Sequence, residues 1–221
     1  LRLKNMRLEA PIVKRITGLG LSGFTMSCTN SLVQIACNAS LQQFGYSQTQ
    51  ALSIYGVFTG MAMTCIHFPG ALTNSVSVLL MPLVAEADAR NNLSAIRSAV
   101  FKCVRYCLLL GFVCLGMFLL TGNFLGTFLF HSELTGRFIR TLSFLCPFLY
   151  LNTTLLSILN GLGKTGATFA LNMLSILTRL AFVFFAIPVF GIQGYLWGML
   201  AGQLLVASLS FLLLRSCLHR H

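Results

Sequence analysis

With 221 residues, 56% of them hydrophobic and 9% charged, and a mean hydropathy of +0.83, the chain has too few polar side chains to cover the surface of a soluble globule. Its formal charge of +11 does not mark a nucleic-acid binder, because no solvated basic face with base-reading groups is visible.

The chain opens on a basic stretch, residues 1–16, where Leu1, Leu3, Met6 and Leu8 interleave with Arg2, Lys4 and Arg7. This pattern suits an amphipathic cytoplasmic lead-in on an anionic bilayer surface, or a plain charged anchor before a membrane helix. It lacks the apolar core of a cleavable signal peptide. Six long apolar segments follow, over residues 17–44, 51–85, 99–120, 138–159, 167–187 and 195–214. Crossing ~30 Å of hydrocarbon takes ~20 apolar residues. Runs this long and continuous suit helices, which satisfy their own backbone groups in lipid, rather than barrel strands. The expected fold is an all-α polytopic membrane protein, a six-transmembrane-helix bundle ending in a basic tail at residues 215–221.

If the segments alternate, twelve of the fifteen lysines and arginines fall on one side: those before segment one, Arg90, Arg97, Lys102 and Arg105 after segment two, Lys164 after segment four, and Arg215 and Arg220. By the positive-inside rule that side is cytoplasmic, so both termini are expected inside a multi-pass protein of the plasma membrane. The opposite loops, residues 45–50, 121–135 and 188–194, hold no lysine or arginine; Arg137 and Arg140, at the start of segment four, are the exceptions.

Polar and helix-breaking residues inside the segments are the candidate working parts. In segment one, Gln34, Asn38 and Gln42 recur every four residues beside Asn30. Such a stripe lines a hydrophilic cavity or bonds neighbouring helices. Further amides stand at Asn74, Asn152 and Asn160. Pro69, followed by Gly70, sits near the middle of the second segment. Proline removes one intrahelical bond and clashes with the carbonyl four residues back, here Cys65, which predicts a hinge or a packing kink. His67, one turn away, is a packing histidine or a titrating one.

Arg179 lies about twelve positions into segment five, ~18 Å along the helix and near the bilayer centre. A guanidinium there costs at least ~2.5 kcal/mol and should face water or a partner. No carboxylate lies in any segment to pair with it, and its planar fork suits phosphate. Snorkelling or bonding to carbonyls is the structural alternative. Gly194, Gly198 and Gly202 open segment six with two overlapping G-x-x-x-G spacings, predicting a tight helix contact.

Other motifs dissolve on inspection. Gly18-Leu-Gly20-Leu-Ser-Gly23 and Gly161-Leu-Gly163-Lys164-Thr165-Gly166 match G-x-G-x-x-G, but neither has the preceding strand and following acid of a dinucleotide site. The eight cysteines fall mainly inside apolar segments, and Cys103 and Cys107, spaced i and i+4, have no partnering pair nearby. No metal or other cofactor is expected. With no nucleophile–base pair or paired carboxylates at a recognisable spacing, neither is an enzyme.

Four stretches carry a resemblance: Leu41-Gln42-Gln43-Phe44-Gly45-Tyr46-Ser47, Tyr55-Gly56-Val57-Phe58-Thr59-Gly60-Met61-Ala62, Phe68-Pro69-Gly70-Ala71-Leu72 and Met81-Pro82-Leu83-Val84-Ala85-Glu86-Ala87. A glycine-lysine turn at Leu159 to Lys164 and a proline-glycine turn at Ile187 to Gly194 add to it. In order and spacing these resemble the C-terminal half of the stage V sporulation protein B-like, polysaccharide-transporter branch of the multidrug/oligosaccharidyl-lipid/polysaccharide (MATE-like) exporter superfamily. The resemblance implies an alternating-access flippase or exporter, in which two six-helix lobes surround a cavity and move lipid-linked saccharide or peptidoglycan precursors outward. Arg179 would contact pyrophosphate, Asn30 to Gln42 would line the cavity, and Pro69 would permit bending. Only one lobe is present, so a complementary six-helix lobe or a second copy is an expected partner, along with the bilayer and the lipid-linked ligand. A cation-coupled multidrug antiporter, which generally uses intramembrane carboxylates this lobe lacks, and a non-transporting membrane scaffold or decayed half-transporter are the alternatives.

Overall fold

The computed structural model describes the backbone of residues 10–90 and 92–219 and, within them, the side chains of residues 23–90, 92 and 94–217. The lead-in expected at the N-terminus lies outside the described residues as far as residue 9, and so does Arg220. The described chain is helical nearly throughout: α1 Ala10–Gln43, α2 Gln48–Gly56, a π-helical turn Val57–Ala62, α3 Met63–Ala89, α4 Leu93–Phe130, α5 Glu133–Ser143, α6 Cys146–Gly161, α7 Thr165–Phe185, the single turn α8 Ile187–Phe190, and α9 Ile192–His219.

Short polar breaks stop each rod and start the next. After α1, Gly45 takes a φ of 115°, which a side chain would resist, and Ser47 with Gln50 then forms a reciprocal capping box on α2. Asn92 caps α4 through the amide of Ala95. Between α4 and α5 the chain turns in two residues, His131 at a left-handed φ of 50° and Ser132 accepting from the Thr135 amide. Gly163 and Gly191, both at positive φ, close the last two turns.

These ends shift the expected segments. The stretch read as an outer loop, residues 121–135, is nearly all helix, because α4 runs 38 residues to Phe130. The second segment begins at Gln48 and reaches Ala89 as one run of 42 residues, interrupted only by the π turn. Segment four is two helices bent by 57° between Ser143 and Cys146. Arg215, expected in a tail, continues α9.

Among the described residues four helices are long and apolar enough to cross a membrane, and the bent pair α5–α6 counts as a fifth when it is taken as one broken span rather than a re-entrant loop. The sixth rod, α1, is 34 residues long but is not among them. Its four amides at Asn30, Gln34, Asn38 and Gln42 lower its hydropathy. The chain is an all-α, multi-pass membrane protein.

The rods pack α4 along α5 and α6, α3 along α6, α7 along α9, and α1 along α7. Close approach is bought by glycine at a few points. A Cβ on Gly126 would fall 2.3 Å from the Gly136 nitrogen, and one on Gly111 would fall 2.4 Å from the Pro147 Cα. The buried apolar side chains form two clusters. One holds Val33, Phe58, Ile66, Phe118, Leu142, Tyr150, Ile176 and Tyr195 with their neighbours. The other, toward the basic ends of the helices, holds Leu80, Val84, Ile96, Leu155, Ile158, Leu171 and Leu214.

Candidate functional site

The two apolar clusters are separated by a polar stratum, and each of five helices contributes to it where its apolar register lapses. On α3 the interval between Ile66 and Leu80 holds Thr73, Asn74 and Ser77; on α6, between Tyr150 and Leu155, it holds Asn152 and Thr154. On α7 it holds Asn172 and Ser175, on α9 Gln203 and Ser210, and on α4 Cys107. Polar groups at this depth need protein partners, since lipid offers none. Ser77 and Thr154 hydroxyls meet at 3.2 Å, Cys107 Sγ lies 3.0 Å from the Thr154 hydroxyl, and Ser157 donates to the Ser77 carbonyl at 2.6 Å. Asn152 donates through Nδ2 to the Gln203 carbonyl at 2.9 Å and to its Oε1 at 2.5 Å.

One side of the stratum opens into a cleft of about 270 Å³ between α3, α6, α7 and α9. Arg179, Asn74, Asn152, Asn172, Gln203 and His67 supply its polar lining. Arg179 stands ~21 Å from the Thr165 end of a helix ~32 Å long, past the midpoint rather than at it. Its stem passes Gly202, where a Cβ would come within 3.8 Å of Arg179 Cγ, and it is within electrostatic reach of the Tyr195 and Tyr55 hydroxyls. The rings of those tyrosines lie 6.2 Å apart.

Two buried atoms in this lining have no hydrogen-bond partner: Nε of Arg179, a donor, and Oδ1 of Asn152, an acceptor. Asn152 is only 3% exposed. Buried polar atoms are seldom left unpaired without a role. Among the described residues the one ion pair is Arg90 with Glu86, at 2.7 Å on an exposed helix end, so the Arg179 charge meets no carboxylate.

Of the two residues expected to form a hinge, Gly70 borders the same cleft, and a Cβ there would fall 3.1 Å from Tyr150 Cε1. Proline at 69 is accommodated inside α3, which runs on to Ala89. The expected bare carbonyl was that of Cys65; the side-chain bond found is one residue on, from the Tyr150 hydroxyl to the Ile66 carbonyl at 2.7 Å.

The stripe does not join them. Asn30 and Gln34 are exposed, while Asn38 and Gln42 line a separate groove of about 600 Å³ shared with Gln48 and Leu52 of α2. Asn38 donates to the Gln34 carbonyl at 3.2 Å, and its Oδ1 is buried without a partner. The stripe and Arg179 thus line two separate hollows of this lobe. The glycines of segment six pack on α7 of the same chain. A Cβ on Gly194 would fall 2.6 Å from the Ala186 carbonyl oxygen, one on Gly198 2.5 Å from Phe182 Cβ, and one on Gly202 3.0 Å from Ser175 Oγ. Residues not singled out from the sequence complete the cleft: Asn172, Ser175 and Gln203, with Tyr195 beside Arg179. They lie in pairs on α7 and α9, and no spacing along either helix reveals their convergence with residues of α3 and α6.

Comparison with known proteins bears on the fold. No family model matches the chain. It is 27% identical to stage V sporulation protein B of Bacillus subtilis (strain 168) over 172 residues, 77% of this chain and 33% of that protein. Among solved structures it is similar to an outward-facing multidrug resistance MATE family transporter of the MOP superfamily, with a TM-score of 0.76 at 15% identity, covering 100% of this chain and 49% of that one. The chain has the fold of one MATE-type lobe. A MOP superfamily transporter from Pyrococcus furiosus, described as having a binding pocket of reversed polarity that suggests a different function, matches at a TM-score of 0.75 and 15% identity over 99% of this chain and 49% of its own. A MATE in complex with MaL6 matches at 0.72 and 17% identity over 100% of this chain and 51% of its own. The chain therefore spans about half the length of these transporters and matches a third of the stage V sporulation protein B-like relative.

Proposed function

We propose that this lobe is part of an alternating-access flippase or exporter for a lipid-linked oligosaccharide or peptidoglycan precursor, with Arg179 receiving the pyrophosphate. The observation that carries this reading is the guanidinium of Arg179, with no carboxylate against it among the described residues and its Nε without a partner, on a polar cleft lined by amides. An unpaired cation at this depth is stabilised by an anionic ligand, and amides and hydroxyls suit sugar hydroxyls. The likeness to stage V sporulation protein B and the MATE-type fold support transport as the activity.

The partner in this reading is a complementary six-helix lobe or a second copy. Supporting it, the chain corresponds to about half of each solved transporter, and α1 and α3 leave Leu32, Ile35, Phe68 and Leu72 more than 60% exposed. The stripe Asn30 to Gln42 is exposed or groove-lining and in this reading faces the cavity between lobes. We place the protein in the plasma membrane with both termini cytoplasmic, on the cation distribution.

The test is binding and flipping of a polyprenyl-diphosphate saccharide by the full-length reconstituted protein. Arg179→Gln is expected to weaken binding about tenfold or more, the loss of a charge-assisted bond, while the protein stays folded in membranes. Unchanged affinity removes Arg179 from the site. The antiporter alternative has the fold of the multidrug MATE transporter on its side, and it predicts instead small-cation transport that follows a sodium or proton gradient.

A further inference from the structure

The two cations that break the charge asymmetry, Arg137 and Arg140, both lie on α5, on the side otherwise free of lysine and arginine. Both are exposed, but they are held differently. Arg140 donates from Nε to the Leu119 carbonyl of α4 at 3.2 Å, and its stem lies over Gly122, where a Cβ would come within 2.8 Å of Arg140 Cγ. The guanidinium is therefore fixed against α4, and among the described residues its terminal nitrogens make no bond.

Beside it, the 57° break between α5 and α6 opens an apolar groove of about 380 Å³. Its walls are Leu119 of α4, Leu145 at the break, and Leu196, Trp197 and Leu200 of α9, with Arg140 as its only charged residue. Arg140 is seven residues from the start of α5 and Trp197 five from the start of α9, so both sit ~8–11 Å in from the same ends of the bundle. Tryptophan is enriched at headgroup level, and an arginine near a helix end reaches it by snorkelling. Trp197 is 58% exposed and Phe144 49%, so the groove opens at the side of the bundle.

A fixed cation at headgroup depth above an apolar groove complements one kind of ligand. We propose that this groove holds a single anionic phospholipid of the leaflet opposite the basic helix ends, its phosphate on the Arg140 terminal nitrogens and one acyl chain along Leu145, Leu196 and Leu200. The site is separate from the Arg179 cleft, with which it shares no lining residue, and it does not depend on what that cleft carries.

The experiment is native mass spectrometry of the full-length protein released from bilayers of mixed phosphatidylglycerol and phosphatidylcholine. The wild type is expected to retain one phosphatidylglycerol in preference to phosphatidylcholine. Arg140→Gln should weaken that retention about tenfold, the loss of a charge-assisted contact, and Arg137→Gln should leave it unchanged. Trp197→Ala, on a different helix and exposed, should also lower retention and serves if Arg140→Gln does not fold. Equal retention of both lipids by the wild type, unchanged retention in both groove variants, or displacement of the phosphatidylglycerol by a polyprenyl-diphosphate saccharide would overturn the proposal.

Discussion

The Tyr150 hydroxyl donates to the Ile66 carbonyl across 2.7 Å, tying α6 to α3 three residues before Pro69. A proline inside a helix disturbs the carbonyl ladder of the preceding turn, and in lipid no water stands by to repair it. Tyr150 is fully buried and lies against Gly70, so its ring and hydroxyl brace the turn of α3 that Pro69 weakens.

Removing that hydroxyl should loosen this turn while leaving the packing of the ring. Tyr150→Phe is expected to lower stability by about 1 kcal/mol, in the range of a hydrogen bond within a membrane bundle. Thermal unfolding in detergent checks this, with Tyr106→Phe, 70% exposed on α4, as the unchanged control. Equal midpoints for the two variants would show that the bond carries no stability.

The seam between α7 and α9 should tolerate no added carbon. Gly198→Ala would place a methyl 2.5 Å from Phe182 Cβ, whereas Gly116→Ala meets nothing within 4 Å. The first is expected to cost about 1–3 kcal/mol through overpacking; the second should be neutral or stabilise by up to ~1 kcal/mol through helix propensity. The same unfolding assay separates them, and a loss for Gly116→Ala as large as for Gly198→Ala would refute the packing account.

If the α1 stripe faces water between lobes, its positions should react from the aqueous phase. In a background without exposed cysteines, Gln34→Cys and Asn38→Cys are expected to react with a membrane-impermeant maleimide. Native Cys37, 0% exposed, should not. Protection of both introduced thiols would move the stripe from the cavity to a helix or lipid contact.

The helical rods and the membrane-spanning class were legible in the sequence, because apolar length alone dictates them. Gly194, Gly198 and Gly202 were legible as a close-contact face, since backbone approach needs glycine at helical spacing; the partner, α7, was not, because spacing says nothing of the opposite surface. The same residue types misled at residues 121–135. Thr121, Gly122 and Asn123 look like a loop, yet Gly122 lies under Arg140 and Gly126 against Gly136, so α4 stays helical to meet α5. The π turn at Val57–Ala62 left no mark at all, since every residue in it is compatible with an ordinary helix. Arg179 stood out by its cost in lipid. Asn152 stood out only as one amide among several and Gln203 not at all, because an amide on each of two helices gains meaning only from their 2.5 Å meeting.

The polar stratum between the two apolar clusters makes the lobe a stack of two separately held bodies. Tyr150 and Ile176 belong to one and Leu155 and Leu171 to the other, on the same two helices. The helices run unbroken through the plane between them, where their side chains meet through hydroxyl and amide bonds, which can exchange partners with far less penalty than packed leucines can be pulled apart. The plane that contains the Arg179 cleft is therefore the layer of this lobe whose side chains re-pair most readily, with a ligand's oxygens as well as with one another.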